Sequence, residues 1–102
     1  MNQYNEKGLK HGPWEIYGSN GNLMYKLNFV NGKLHGLCVE YLDNGNPSYK
    51  TNYINGNEHG LYEDYYSNGK ILHKTNFVNG NVYGLRESYD SNGKSYCKKY
   101  FI

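Results

Sequence analysis

A 24-residue period runs through the chain and limits what it can become. Gly8, Gly32, Gly56 and Gly80 are spaced by it, as are Gly12, Gly36, Gly60 and Gly84, and again Gly21, Gly45, Gly69 and Gly93. Twelve of the thirteen glycines therefore stand on repeat positions. His11, His35 and His59 precede the second glycine of their units, with Tyr83 in the fourth, and Tyr17, Tyr41, Tyr65 and Tyr89 keep the same beat. Self-similarity of this kind marks an array whose units bury a core only by stacking on one another. Units 8–31, 32–55, 56–79 and 80–102 fill the domain after a lead-in at 1–7, and 102 residues leave no room for a second one.

The array predicts an all-β fold. There is no Ala, Gly recurs every few residues at a cost of about 1 kcal/mol each in a helix, and the apolar residues lack a 3.6-residue period. Each unit reads as a strand such as 61–66, an Asn-Gly turn, a second strand such as 71–78, and a return loop such as 79–84. Four such hairpins in series give an elongated antiparallel meander of about eight strands.

Two registers suit the turn. A two-residue loop at Asn68-Gly69 sets Tyr65 against Leu72 and Glu63 against Lys74. A type I turn over Ser67-Asn68-Gly69, with Gly69 left-handed in a G1 bulge, sets Tyr65 against Ile71 and Leu61 against Thr75. We favour the bulge, because Ser19, Asp43, Ser67 and Ser91 stand where a type I turn wants them. The recurring Glu15 with Lys26, Glu63 with Lys74 and Glu87 with Lys98 argue for the other.

The bulge register places Leu61, Tyr65, Ile71, His73 and Phe77 on one face and Lys74, Asn76 and Val78 on the other. Ladders of Tyr17, Tyr41, Tyr65 and Tyr89, of Phe29, Tyr53, Phe77 and Phe101, and of Leu37, Leu61 and Leu85 headed by Pro13 then form the core, each aromatic removing roughly 150–250 Å² from water. A single sheet leaves such a face uncovered unless it curls, so a second copy or a bound partner is expected to complete it. Specificity is expected where units differ. Trp14, Cys38, Tyr62 and Arg86 are one such set and Ile16, Glu40, Asp64 and Ser88 another. Trp14, Tyr62, Arg86, Glu40 and Asp64 are the candidate binding residues, Trp, Tyr and Arg being the residue types that dominate interfaces. They are expected to point away from the ladders.

Chemistry beyond binding finds little support. Equivalent histidines lie two strands apart, about 9–10 Å, too far to share a zinc. No metal or cofactor is expected. Cys38 and Cys97 fall at non-equivalent positions and read as free thiols. Asn-Gly recurs without the Lys and Ser or Thr of a phosphate loop. No Ser, His and Asp set or Cys and His set stands out, so no catalytic residue is assigned. The net charge of +2 is scattered, which argues against nucleic acid and against contact with anionic lipid. The N-terminus lacks a secretory core and no stretch reaches the apolar run of about 18 residues a spanning helix needs. A reducing, cytoplasmic setting is expected. Sixteen Asn with many Lys, Tyr and Ile suggest an AT-rich genome, as in many bacteria, phages and large viruses.

At Phe29-Val-Asn-Gly-Lys-Leu-His-Gly36, and again at 53–60 and 77–84, the chain resembles the MORN repeat. His11-Gly-Pro-Trp-Glu-Ile-Tyr17 with Ser19-Asn-Gly21 is similar to the variant found in bacteria and viruses. The chain departs from the standard pattern at Leu37, Leu61 and Leu85, which no second glycine follows. The resemblance implies a sheet of hairpins used as an interaction platform, with a protein partner or a second copy. Bacterial variants are often catalogued as antitoxin-like, and a small inhibitor or scaffold is expected, in the cytoplasm of a bacterium or of a virus's host. A membrane-surface lipid platform, proposed for some members, and an enzyme with an unrecognised site are the alternatives.

Overall fold

The computed structural model describes residues 2–101. They form one antiparallel sheet of twelve strands: β1 (Gln3–Tyr4), β2 (Lys10–Tyr17), β3 (Leu23–Val30), β4 (Lys33–Leu34), β5 (Gly36–Tyr41), β6 (Pro47–Ile54), β7 (Asn57–Glu58), β8 (Gly60–Tyr65), β9 (Ile71–Val78), β10 (Asn81–Val82), β11 (Gly84–Tyr89) and β12 (Ser95–Phe101). The order across the sheet is β1-β2-β3-β5-β6-β8-β9-β11-β12, with β4, β7 and β10 paired on β3, β6 and β9. The count exceeds eight for two reasons. The lead-in adds β1 at one edge, and what the sequence suggested were return loops are short strands joined by tight turns.

Two turn types alternate. At Asn31-Gly32, Asn55-Gly56 and Asn79-Gly80 every residue has positive φ, 50° at the Asn and 83–87° at the Gly, and Val30 pairs with Lys33 across a two-residue loop. That is a type I′ turn, in which both central residues are left-handed. At the opposite rim Gly69 N–H donates to Tyr66 O at 2.9 Å and Tyr66 N–H to Lys70 O at 2.8 Å, with Gly69 at φ +89°. This is the expected three-residue turn with its glycine bulge. The lead-in turn is of this second type, since Gly8 N–H donates to Asn5 O, although Gly8 keeps the beat of Gly32. One extra residue in its loop pairs Tyr4 with Lys10, where the repeat would pair position 5.

Both proposed registers are half correct. Next to the turn Tyr65 pairs with Ile71, as the bulge predicts, but the following pair is Asp64 with His73. Leu72 is an extra residue on β9, so Glu63 meets Lys74 and the faces exchange. The same shift recurs between Ile16 and Tyr17, Glu40 and Tyr41, and Ser88 and Tyr89. The face assignment is therefore corrected. His73 and Phe77 lie with Tyr62, Asp64 and Thr75, while Leu61, Glu63 and Tyr65 share the other face with Lys74, Asn76 and Val78. We call these the Tyr62 face and the Glu63 face.

The sheet stays a single open layer, 48 × 36 × 13 Å. Curling cannot bring the Tyr17 ladder onto the Phe29 ladder, because the two lie on opposite faces. The buried apolar residues are few: Trp14, Phe29, Cys38 and Val39. Trp14 packs edge-on against Phe29 at 5.6 Å and against Tyr4 at 5.3 Å, and each ladder aromatic stands opposite a glycine, Phe29 on Gly12 and Phe77 on Gly60.

Asparagine stitches successive units. Asn28 and Asn52 side chains donate to Leu37 O and Leu61 O at 2.7 and 3.1 Å, and Asn44 and Asn46 both reach Ser67 O. In the type I′ rim Gly32, Gly56 and Gly80 N–H donate at 2.8 Å to Lys10, Leu34 and Glu58 O of the preceding unit. Each bond crosses the one seam a repeat array must hold, that between neighbouring units.

Candidate binding face

Two adjacent rows in the middle of the Tyr62 face vary from unit to unit. One runs Ile16, Tyr25, Glu40, Tyr49, Asp64, His73, Ser88, Cys97, each residue directly opposite the next across seven strand pairs. The other contains the pairs Trp14 with Leu27, Cys38 with Thr51, Tyr62 with Thr75 and Arg86 with Lys99. All five candidate residues, Trp14, Glu40, Tyr62, Asp64 and Arg86, thus come to one face. The expectation that they point away from every ladder is corrected: they share their face with Phe29, Tyr53 and Phe77, because the extra residue in each second strand reverses the alternation. Trp14 is buried at 9% exposure, whereas Arg86 is exposed.

Acids and tyrosines alternate here. Tyr62 stacks on Tyr49 at 6.0 Å, packs edge-on against Phe77 at 5.9 Å, and donates its hydroxyl to Asp64 Oδ2 at 3.3 Å. Burial, then the Asp64 charge and hydrogen bond, push the Tyr62 phenol up to about 12. Glu40 acts on Tyr25 in the same sense, as hydrogen-bond acceptor and as charge, and burial raises Tyr49 and Tyr53. Burial also raises the Cys38 thiol, which makes it a poor nucleophile.

Sequence reasoning undervalued His73 because it occurs in one unit only. Its Nδ1 lies 3.0 Å from Asp64 Oδ1, and Ser88 is its cross-strand neighbour on the other side. Ser88, His73 and Asp64 stand in the order of a hydrolase triad, yet among the described residues no hydrogen bond joins Ser88 to His73. The row lies on an open sheet face, which gives a nucleophile no enclosing wall. Depressions lie at the rims instead, one of about 370 Å³ beside Asn22, Leu23 and Tyr41 to Gly45.

The repeated histidines serve the turn. His35 and His59 N–H donate to Asn28 O and Asn52 O at 2.9 and 2.8 Å, and Tyr83 N–H does the same to Asn76 O, so the side chain can vary. His35 Nδ1 accepts from Asn55 N–H at 3.3 Å. Among the described residues no three His, Cys, Asp or Glu converge on a metal position.

A profile described as the MORN repeat variant matches residues 10–31, 34–55 and 58–79, three consecutive repeats. The chain belongs to the MORN repeat variant family. Each matched repeat spans a β-hairpin and ends on the Asn that opens the following type I′ turn. No curated protein matches this MORN-variant chain. Among solved structures, a point mutant of S. aureus TarM, in complex with fondaparinux, alpha-GlcNAc-glycerol and UDP, resembles it with a TM-score of 0.57 at 12% identity. The likeness covers 99% of the MORN-variant sheet and 19% of the TarM chain, and at that identity it is a likeness of fold.

Proposed function

We propose that this MORN-variant chain is a non-enzymatic binding module that engages a protein partner through the Tyr62 face, as a small inhibitor or scaffold. One observation carries the reading: two neighbouring rows in the middle of the Tyr62 face change from unit to unit, whereas the row behind them on the Glu63 face repeats Glu and Lys. Positions that the repeat does not fix, and that like Glu40, Tyr62, Asp64 and Arg86 keep some exposure, are where recognition can be built. Aromatic surface with Glu40 and Asp64 on the central strands and Arg86 with Lys99 towards one edge offers apolar contact and charge of both signs.

Affinity purification from the native host tests it. Wild type is compared with a chain carrying Asp64→Lys and Arg86→Glu. Mass spectrometry should find a protein retained by wild type and lost from the variant. A partner retained equally by both, or capture of anionic vesicles in place of protein, contradicts the reading.

A further inference from the structure

The Glu63 face carries a charge pattern whose glutamates accept from neighbouring tyrosines, Glu15 from Tyr17 and Glu63 from Tyr65 at 2.9 Å, while its opposite charges scarcely pair within the sheet. One row crosses it from strand to strand: Glu15, Lys26, Val39, Lys50, Glu63, Lys74, Glu87, Lys98. Signs alternate throughout, except that Val39 stands where the repeat puts Glu. Among the described residues only Glu87 and Lys98 of this row approach one another within salt-bridge distance, at 3.9 Å. Apolar side chains flank the row and are left in water. Leu37 is 47% exposed and Tyr17 55%, with Ile54, Leu61 and Val78 exposed as well. On the Tyr62 face Trp14, Phe29 and Cys38 are already buried by neighbours in the same sheet, although Ile16 is exposed, whereas on the Glu63 face Val39 is the one buried apolar side chain among the described residues.

We propose that the Glu63 face seats a second copy of this chain, sheet on sheet, about a twofold axis that runs parallel to the strands and passes between Lys50 and Glu63. An eight-position row of alternating sign is complementary to itself when reversed, and this axis reverses it. Glu15 then meets Lys98 of the second copy, Lys26 meets its Glu87, Lys50 meets its Glu63, and Val39 meets its Lys74. Each contact is made twice, as an isologous interface requires.

The axis leaves the flanking rows in place, so leucines lie over leucines and tyrosines over tyrosines. A twofold axis running across the strands would set Glu on Glu and Lys on Lys. Packed sheets cross at about −30°, so Lys50 and Glu63, beside the axis, stay in register best. The apolar flanks supply the attraction and the charges fix orientation, because ion pairs at an interface roughly balance their desolvation. Half of the 48 × 36 Å outline suffices for the roughly 800 Å² per partner of a stable complex. The pair makes the two-layer core that one sheet lacks, and it leaves both Tyr62 faces outward.

Sedimentation equilibrium at micromolar loading tests the pairing with four chains. Wild type should sediment at twice the 11.8 kDa chain mass. Leu37→Lys with Leu61→Lys should sediment as a monomer, and Ile16→Lys, exposed on the Tyr62 face, as a dimer. The fourth chain reverses the row through Glu15→Lys, Lys26→Glu, Lys50→Glu, Glu63→Lys, Lys74→Glu, Glu87→Lys and Lys98→Glu. Alternation within its sheet is preserved, so it should fold and self-associate yet form no mixed dimer with tagged wild type. A monomeric wild type, a dimer that survives the double leucine change, or mixed dimers as abundant as pure ones would each overturn the proposal. None of these results depends on whether the Tyr62 face binds a partner.

Discussion

Thr51 Oγ1 donates to Glu58 Oε2 at 3.2 Å, whereas Thr75, its equivalent one unit on, has Val82 where that carboxylate would stand. Thr75 is 4% exposed and its hydroxyl has no hydrogen-bond partner. One repeat earlier the same pair of positions is Leu27 and Leu34, apolar on apolar. The first two pairs are each self-consistent, and Thr75 with Val82 mixes them.

Thr75→Val should therefore stabilise the sheet by about 1 kcal/mol, because it removes a buried unsatisfied hydroxyl at constant shape. Thr51→Val should destabilise by a similar amount, since it strips Glu58 of its donor. Thermal melts should show shifts of opposite sign, each about 4–8 °C in a domain of this size. Melting temperatures lowered by both changes contradict the assignment.

Gly69→Ala should weaken the fold by about 1 kcal/mol or more, because a Cβ is penalised at positive φ, and Gly69 holds φ +89°. A Cβ there meets no atom closer than Asn46 Nδ2 at 3.9 Å, so the cost is conformational and not a clash. Lys70→Ala, at an exposed position beside it, should change stability little. Urea midpoints for the two variants check this, and equal midpoints contradict the turn geometry.

Alkaline pH should loosen the sheet through its tyrosines. Tyr62 titrates near 12 in the folded chain against 10.0 ordinarily, and Tyr25, Tyr49, Tyr53 and Tyr65 are raised in the same direction. Folded-state values above unfolded ones mean that stability is full below about pH 10 and is lost as pH rises towards 12. Melting temperatures from pH 8 to 11, alongside absorbance of the phenolate, measure this. Tyrosines that all ionise near pH 10 in the folded chain contradict the burial described.

The bulge turns at one rim and the all-β sheet were legible because Asn-Gly and its flanking residues encode local backbone geometry, whereas the Asn-Gly turns of the other rim were read only as return loops. The faces were not. Leu72 looks like any apolar strand residue, yet as the extra residue of a bulge it moves His73, Thr75 and Phe77 to the side opposite Leu61. The recurrence of Glu63 with Lys74 carried the missing signal, since only a second bulge reconciles it with the turn. Trp14, Glu40, Tyr62, Asp64 and Arg86 were nominated because they break the repeat, and the structure sets them on one face; His73 was passed over although it breaks the repeat too. The Asn side chains read as composition, and their bonds across unit seams depend on strand pairing that no local pattern displays.

The central claim is that the two faces have different tasks, recognition on the Tyr62 face and self-association on the Glu63 face. Site-specific photo-crosslinking in the native host tests it most directly, with p-benzoylphenylalanine placed at Arg86 in one chain and at Leu61 in another. The Arg86 position should yield an adduct with a different protein and the Leu61 position an adduct of two copies of this chain. Self-adducts from Arg86, or the same foreign adduct from both positions, would contradict it.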